Sequence, residues 1–434
     1  MRSIFKKIVV WILTLEARLV LLKYRPRVVG ITGSVGKTST KDAVYAVLSS
    51  AFYVRKSEKS FNSDIGVPLT ILGCDNAWNN PFLWLANIFK GLGVVLLPNH
   101  YPAWLVLEVG LDRPGDIARV VKWLSCDVVV LTRLADTPVH VEFFESPQEL
   151  RREKLLLAKA LKKHGVLVVN NDDKYLVEAK HPDGGRRITY GLDKGADIVP
   201  EHIETLYERA GGREVPIGTT FKVAYRGSVV PVTVPNALGI QHVYPALAGI
   251  AVGLALDVNL VTIGQALARL STPPARMRVL EGVNGSTLID DSYNSSPVAL
   301  AAALTTLEEL KVSGRRLAVL GDMTELGKHT VDEHKKIGAR AARILDMLVS
   351  VGPRAHYIAE GAREAGMRGV DILERQEAAE AGKEIAKLLE QGDVVLVKGS
   401  QSMRMERAVR ELLAEPHRAA EILVRHDREW LNKE

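Results

Sequence analysis

The sequence has little cysteine, little aromatic character and no strong excess of either charge. Its 434 residues include two cysteines, Cys74 and Cys126, in apolar surroundings, which argues against a disulfide framework and indicates a reducing compartment. Aromatic residues make up 6% of the chain and do not alternate with basic residues as in nucleic-acid-binding motifs. The formal net charge of +6 suits anionic small molecules or an acidic membrane surface. We therefore expect a globular protein without a nucleic-acid partner.

The chain also lacks an apolar run long enough to cross a membrane. The apolar run Ile8–Leu15 follows Lys7 and is ended by Glu16, whereas a spanning helix needs about 20 apolar residues. No small-residue cleavage site follows, which argues against a signal peptide. The pattern predicts an apolar or amphipathic helix within residues 1–26. We expect a cytoplasmic protein in which this helix docks on the rest of the chain, or else contacts a membrane surface peripherally through residues 4–22.

The most informative segment is residues 27–41, where a strand pattern, a glycine-bearing turn and a helix pattern follow one another. Main-chain amides at such a helix start bind phosphate, Lys37 adds a positive charge, and Thr38 offers a hydroxyl to Mg²⁺. A strict P-loop has glycine at the position of Ile31, so the chain carries a shorter form at residues 33–38. The alternative, a turn that merely joins a strand to a helix, leaves Lys37 and Thr38 unexplained. The spacing therefore predicts a nucleotide phosphate site.

Strand and helix patterns alternate along most of the chain, which predicts an α/β fold with mostly parallel sheets covered by helices. Residues 181–235 are an exception, because their short alternating runs predict antiparallel strands at the sheet edge. Ser271–Pro274 interrupts the pattern and marks the best domain boundary. We thus predict a central P-loop-type ATPase domain at residues 27–274 and a smaller Rossmann-like α/β domain at residues 275–434.

Polar residues at predicted strand ends are candidates for chemistry, because such loops border the binding crevice of α/β sheets. Glu108 ends a buried strand and is a candidate Mg²⁺ ligand. His140 follows the next strand and can reach the same crevice, although an isolated histidine is more often a surface or core residue. Lys154 lies in a predicted long helix, Glu149–Lys162, where a basic residue usually faces solvent. In the C-terminal domain the corresponding residues are Asp290, Asp291, Asp322 and Lys398.

Considered together, these segments resemble the Mur ligase family, and within it the ligases that add D-alanyl-D-alanine to a peptidoglycan precursor. The matching segments occur in family order from residue 27 to about residue 410, which makes the set more specific than any one motif. They are residues 33–38, 61–70, 108–110, 114–117, 290–297, 319–327 with His334, and 397–400.

The resemblance implies an ATP site at the phosphate loop. The residues around the phosphates would be Gly33, Ser34, Val35, Gly36, Lys37, Thr38 and Ser39. Arg276, at the domain junction, would reach ATP when the domains close. Asp291 would hold the nucleotide ribose, with Tyr293 and Asn294 beside it.

The resemblance also implies two Mg²⁺ sites and a modified lysine. The metal ligands would be Thr38, Glu108, His140 and Lys154, and the catalytic residues would be Lys37, Glu108, His140 and Lys154. Lys154 would be carbamoylated by CO₂, which turns a cation into a carboxylate-like ligand. The residues that contact substrate would be Asn62, Asp64, Asp322, Glu325 and Lys398.

The implied reaction is ATP-dependent formation of an amide bond through an acyl phosphate, most directly between a UDP-N-acetylmuramoyl-tripeptide and D-alanyl-D-alanine in cell-wall synthesis. One alternative is a related ligase that uses another carboxylate acceptor, such as a polyglutamate or a modified cell-wall intermediate. A different class is a nucleotide-binding regulatory or membrane-associated scaffold without catalysis, against which the intact Lys37, Glu108 and Lys154 argue. We expect the enzyme to be a monomer.

Three features depart from the family pattern. Where the family has a domain that grips the UDP-sugar, only residues 1–26 precede the expected ATPase domain, so another surface or a partner would hold the first substrate. The asparagine expected beside adenine is replaced within residues 241–247, where Pro245 stands. The Thr-Asn pair expected after a central strand is Thr132–Arg133, and we expect Arg133 to change the polarity near the metals.

Overall fold

The computed structural model describes residues 3–57, 62–77, 80–111, 113–136, 141–210 and 212–425. These residues form two six-stranded sheets and one three-stranded sheet. The prediction of an α/β protein with a mostly parallel central sheet and a second, C-terminal sheet domain is confirmed.

The first sheet is parallel throughout and contains the strand before the phosphate loop. Its strands, in spatial order, are β2 (Val54–Lys56), β3 (Trp104–Glu108), β1 (Arg27–Thr32), β4 (Cys126–Leu131), β5 (Leu161–Asn170) and β6 (Arg186–Tyr190). Because helices cover both faces, its inner strands are almost continuous runs of apolar residues. The inner position of β1 places the following loop near the middle of the sheet edge, where ligands of such sheets bind.

Helices cover this sheet on both sides. They are α1 (Ser3–Tyr24), α2 (Lys37–Ser49), α3 (Gly66–Leu72), α4 (Pro81–Leu96), α5 (Asp116–Val120), α6 (Pro147–Leu155), α7 (Ile240–Ala255) and α8 (Leu260–Ala268). Successive strand residues point to opposite faces. Val29 and Ile31 therefore share a core with α2 and α7, whereas Val28 shares a core with α1 and α3.

The N-terminal helix α1 docks on the sheet-covering helices along one side. Its buried residues Val9, Leu13, Ala17 and Val20 recur every three or four positions, which is the period of one helix face. They belong to the same core as Ile71 of α3. None of the helices in the described ranges combines the length and the apolarity needed to cross a bilayer.

The predicted helix over Glu149–Lys162 is wrong in its second half. Helix α6 ends at Leu155, a 3₁₀ turn covers Leu156–Ala160, and β5 begins at Leu161. Leu161 pairs with Cys126 of β4. Strand pairing across the sheet thus overrides a pattern that locally favours helix.

The expectation for residues 181–235 is wrong for its first strand. Arg186–Tyr190 forms β6 and joins the parallel sheet, because Ile188 and Tyr190 are buried in the core that α7 also lines. The remaining strands form a separate antiparallel sheet of β7 (Pro200–Ala210), β8 (Arg213–Tyr225) and β9 (Ser228–Pro235).

The second six-stranded sheet lies in the C-terminal part of the chain. Its strands, in spatial order, are β10 (Arg278–Glu281), β11 (Thr287–Asp291), β15 (Val394–Lys398), β12 (Arg316–Gly321), β13 (Met347–Val351) and β14 (Ile372–Arg375). Its helices are α9 (Pro297–Glu309), α10 (Thr330–Ala341), α11 (His356–Glu364), α12 (Ala378–Leu388), α13 (Glu406–Leu412) and α14 (Ala419–Ile422). Only β10 runs antiparallel to its neighbour among these strands. The ends of β11, β15 and β12 therefore meet at one edge.

Candidate active site

The phosphate loop connects β1 to α2 and is held in place by β4. A Cβ atom at Gly33 would lie 2.0 Å from Thr132 Oγ1, so only glycine fits there. Gly36 has a φ of 84° at the start of α2, a left-handed conformation that favours glycine. The amide of Ser34 donates to the carbonyl of Arg133 at 2.6 Å. The loop thus keeps the strand–turn–helix geometry of an anion site, and Arg133 supports it through its main chain.

Two lysine side chains converge on this loop. Lys37 Nζ donates to the carbonyl oxygen of Gly33 at 3.1 Å, and Lys154 Nζ donates to the same oxygen at 3.0 Å. Lys154 is only 4% exposed, unlike the usual lysine of a surface helix. Its helix α6 begins after Ser146, whose Oγ accepts the amide hydrogen of Glu149 at 3.2 Å. This cap fixes where the helix starts and so helps to aim Lys154 at the loop.

Glu108 brings a buried carboxylate to the same place. The parallel pairing of β3 with β1 sets it beside Ile31, just before the loop. Its Oε1 accepts from Asn62 Nδ2 at 3.1 Å, and its amide donates to Ser57 Oγ at 3.2 Å. Its Oε2 is buried and has no hydrogen-bond partner within the part of the chain that the structure describes. A buried carboxylate oxygen without a donor fits Mg²⁺, which prefers oxygen ligands.

The other predicted metal ligands fit to different degrees. Thr38 Oγ1 lies at the start of α2 and offers an oxygen ligand to a metal ion. In this structure it accepts a hydrogen bond from Arg276 Nη2 at 3.2 Å. Lys154 cannot bind a cation as an ammonium, whereas a carbamate on it would supply oxygens. His140 lies outside the described residues. Among the residues that are described, no group of three or more His, Cys, Asp or Glu side chains is arranged to hold a metal ion. Bound Mg²⁺ would therefore need hydroxyl, carbamate or water oxygens besides Glu108.

Lys41 is a buried cation near this site that the sequence reasoning missed. It is 2% exposed, and its Nζ lies 3.7 Å from Asp42 Oδ1, which also pairs with Lys56 at 2.6 Å. Burial lowers the pKa of Lys41, and the negative charges of Asp42 and Glu108 oppose that shift. Its position was the available signal, because Lys41 follows Lys37 by one helical turn and shares its helix face.

A second group of predicted residues meets at the C-terminal ends of β11 and β15. Lys398 Nζ lies 2.6 Å from Asp291 Oδ2 and donates to the carbonyl of Asn294 at 2.8 Å. Burial raises the pKa of Asp291, and the charges of Lys398 and Arg276 oppose that rise. The guanidinium of Arg276 stacks on the Tyr293 ring, 4.3 Å from its centroid. Because Arg276 also contacts the start of α2, this group is joined to the phosphate loop.

The remaining predicted substrate residues lie in other surroundings. Asp322 Oδ1 accepts from the amides of Arg354 and Ala355 at 2.9 and 2.7 Å, and so caps the start of α11. This cap explains why the Asp322 carboxylate is buried. Glu325 adopts a left-handed φ of 63° after β12, and Asp64 is partly exposed in the turn before α3. Contacts of these three acids with substrate remain predictions.

The segment that replaces the asparagine expected beside adenine forms the first turns of α7. Pro245 lies inside this helix, and Tyr244 Oη donates to Asp172 Oδ2 at 2.8 Å. His242 Nε2 lies 3.0 Å from the carbonyl oxygen of Arg276. Burial lowers the pKa of His242 to about 4, so the ring is neutral near pH 7 and donates its Nε2–H to that carbonyl. His242 thereby holds the main chain at Arg276.

Known protein families and individual relatives match most of the chain in sequence. The Mur ligase middle domain matches residues 31–82 and 96–253, and the Mur ligase glutamate ligase domain matches residues 275–401. The UDP-N-acetylmuramoyl-tripeptide–D-alanyl-D-alanine ligase of Bacillus subtilis (strain 168) is 29% identical over 393 residues, which cover 90% of this chain and 76% of the relative. The ligase of the same name from Escherichia coli (strain K12) is 29% identical and covers 89% of this chain and 76% of the relative.

Solved structures of ligases also resemble this chain in fold. MurF from Thermotoga maritima, crystallised in complex with ADP, aligns with a TM-score of 0.73 at 26% identity and covers 93% of this chain and 83% of the other. Folylpolyglutamate synthase from Mycobacterium tuberculosis shares the fold at a TM-score of 0.63 and 16% identity, covering 92% of this chain and 94% of the other. The chain therefore belongs to the Mur ligase family and is an ATP-dependent ligase that joins an acid to an amino acid or peptide.

Proposed function

We propose that this enzyme forms the amide bond between a UDP-N-acetylmuramoyl-tripeptide and D-alanyl-D-alanine during synthesis of peptidoglycan precursors. The observation that carries the chemistry is the meeting of Lys37, Lys154 and Glu108 at the loop after β1. The substrate pair is inferred from relatives that are named for this reaction and are 29% identical over 90% and 89% of the chain.

The reaction would proceed in two displacements. A carboxylate oxygen of the acid attacks the γ-phosphorus of ATP and ADP leaves; the amine nitrogen of the dipeptide then attacks the acyl carbon, loses a proton and expels phosphate. Amides of residues 33–39 and the ammonium of Lys37 would offset negative charge on the transferred phosphoryl group. Mg²⁺ held by Thr38 and Glu108, and a second ion held by Glu108 with His140, would neutralise phosphate charge when bound.

We assign Lys154 a carbamate in the active enzyme. The ammonium would first lose one proton; the resulting amine nitrogen would then bond to the carbon of CO₂ and lose a second proton, which replaces a buried cation by an anion. The position of Lys154 supports this assignment, because Lys154 Nζ and Lys37 Nζ both donate to the carbonyl oxygen of Gly33, which brings two positive charges together. An anion at Lys154 would pair with Lys37 and could share Mg²⁺ with Glu108.

We place the nucleoside of ATP at the group around Asp291. Asp291 would accept from the ribose hydroxyls, with Asn294 and Lys398 beside it. Arg276 links this group to Thr38. Its guanidinium would contact the phosphates of ATP when the proposed domains, 27–274 and 275–434, close. Closure would exclude water that otherwise hydrolyses the acyl phosphate.

We further propose a cytoplasmic monomer whose N-terminal helix contacts a membrane surface through residues 4–22. The exposed side of α1 supports this contact, because it carries Ile8, Trp11, Leu15, Leu19 and Leu22.

Phosphate release by the purified full chain tests the proposed reaction. Protein is incubated with ATP, Mg²⁺, UDP-N-acetylmuramoyl-tripeptide and D-alanyl-D-alanine, and the pentapeptide product is identified by mass spectrometry. We expect release that requires both substrates and is abolished in Lys37→Ala. The matched control is Lys122→Ala, which removes an exposed lysine.

Two results would contradict the proposal. Release that is independent of the UDP-sugar would favour a ligase with another carboxylate acceptor, such as a polyglutamate. No release with any acid and amine pair, despite ATP binding, would favour a nucleotide-binding scaffold.

A further inference from the structure

Helix α1 has a stripe of apolar side chains on the side away from the core. Ile8, Trp11, Leu15, Leu19 and Leu22 recur every three or four residues and are 41–71% exposed. These positions lie on one helix face, opposite the buried stripe that docks α1. Isolated apolar residues on a surface need no explanation, but a full stripe of them does.

Helix α4 carries a second stripe that the sequence reasoning did not single out. Phe82, Leu85, Phe89, Leu92 and Leu96 are 41–80% exposed and also recur every three or four residues. Helix α4 begins after Asn80, whose Oδ1 accepts from two amides of the first turn, so its start is well capped. The stripe therefore belongs to a defined helix of 16 residues.

The two helices lie side by side and run in the same direction. A Cβ atom at Gly91 of α4 would lie 2.1 Å from Glu16 Oε2 of α1, so the helices approach closely there. Further along, Lys23 Nζ donates to the carbonyls of Val95 and Leu97 at 2.8 and 2.7 Å. Lys23 thus satisfies main-chain oxygens at the end of α4. Each stripe lies on the side of its helix away from the buried residues, so this packing places the two stripes on neighbouring helices, and together we call them the α1–α4 surface.

The exposed charged side chains of helices α1 and α4 are all basic. Glu16 is the only acidic residue in either helix and is buried between them, at 6% exposure. Lys7, Arg18 and Lys90 are exposed. An apolar surface edged by basic residues matches an anionic bilayer, whose headgroups attract lysine and arginine while the acyl region accepts apolar side chains.

We propose that the α1–α4 surface binds the enzyme to an anionic lipid bilayer, with α1 and α4 lying together in the headgroup region. This extends the proposed membrane contact of α1 and is independent of the reaction catalysed. A second copy of the chain is a poorer occupant, because a symmetric interface would bring like charges of the two copies together. A carboxylate-rich protein surface would satisfy the charges but leave the aromatic and leucine side chains without an apolar partner.

Co-sedimentation of the full chain with vesicles tests the proposal. Vesicles of phosphatidylcholine alone are compared with vesicles that contain about 30 mol% phosphatidylglycerol, at low and high salt. Three double variants are compared with wild type: Trp11→Ser with Leu22→Ser on α1, Phe89→Ser with Leu96→Ser on α4, and Val229→Ser with Val370→Ser as controls. The control residues are apolar and 58% and 77% exposed, but lie outside both helices.

We expect wild type and the control to bind anionic vesicles equally, and the α1 and α4 variants each to bind at least about tenfold more weakly. Brominated lipids should quench wild-type tryptophan fluorescence more than that of Trp11→Phe, which reports the contact without relying on a serine variant. Loss of binding in the α1 variant alone would overturn the two-helix surface and leave only the contact of α1. Absence of vesicle binding, or a dimer that the α4 variant dissociates, would overturn the whole proposal.

Discussion

Lys37 and Lys154 donate to the same main-chain oxygen, the carbonyl of Gly33, although they stand on different helices. Two ammonium groups on one oxygen repel each other, and burial strengthens the repulsion. Conversion of Lys154 to a carbamate would replace this repulsion by attraction to Lys37. The relationship therefore gives a physical reason for modifying this lysine and leads to the first prediction.

Lys154→Ala should lower turnover by about 100-fold or more, since it removes an electrostatic group from the phosphoryl-transfer site. Short carboxylic acids such as formate or acetate should restore part of the activity, because they can occupy the place of the carbamate. The measurement is phosphate release with and without added acid. Lys159→Ala, an exposed lysine of the following turn, should behave as wild type. Equal activity in Lys154→Ala and wild type would remove Lys154 from the site.

Glu108→Gln should separate stability from activity. Glu108 Oε2 has no hydrogen-bond partner among the described residues, so a neutral amide removes the cost of burying that charge but also its attraction to Lys41, and the melting temperature in the absence of Mg²⁺ should change little. Turnover should fall by about 100-fold, and the Mg²⁺ concentration for half-maximal rate should rise, because an amide is a weaker metal ligand. Thermal melts and Mg²⁺ titrations of both proteins check this. A large loss of stability with unchanged Mg²⁺ dependence would assign Glu108 a structural role only.

Much of the fold was predictable because strand and helix signals agree with the final packing. Strands β13 and β15, for example, are short and almost wholly apolar runs buried on both faces, a pattern that the local sequence by itself indicates. The end of helix α6 and the start of β5 at Leu161 were not predictable from the local pattern, because Leu161 is extended only through its pairing with Cys126. Local pattern carries no information about that partner.

The candidate site was predictable in a similarly uneven way. Lys37 and Thr38 follow from local spacing alone, because one strand–turn–helix unit positions both. Lys154 required the family resemblance, since its helix shows only a basic residue that normally faces solvent. Helix periodicity puts Lys41 on the same helix face as Lys37, but its burial depends on packing between α2 and the rest of the site, which the local sequence does not show.

Asp322→Ala should act mainly through stability. The carboxylate accepts from two main-chain amides of the segment before α11, so its removal leaves buried donors unpaired and should cost about 1–3 kcal/mol. At a temperature where the variant is folded, the KM for D-alanyl-D-alanine should equal that of wild type. Urea unfolding and steady-state kinetics measure the two quantities, with the exposed Asp183→Ala as control. A raised KM with unchanged stability would instead support the predicted contact of Asp322 with substrate.

Glu16→Gln should stabilise the protein at alkaline pH and leave it little changed at acidic pH. Burial raises the pKa of Glu16 from 4.5 to about 7, so the native state keeps a proton that the unfolded chain releases. Wild-type stability should therefore fall as pH rises from about 4.5 to about 7, and level off above that range. Glutamine cannot ionise and occupies the same space beside Gly91.

The two proteins should accordingly differ by about 1–3 kcal/mol in unfolding free energy at pH 8, and by much less at about pH 5. Urea unfolding at the two pH values measures this difference. Glu178→Gln changes an exposed acid and should show no such pH-dependent gain. If Glu16→Gln and wild type keep a constant difference across this range, Glu16 ionises alike in the native and unfolded states. The close packing of α1 on α4 would then have to tolerate a buried carboxylate, most directly by admitting water to the contact at Gly91.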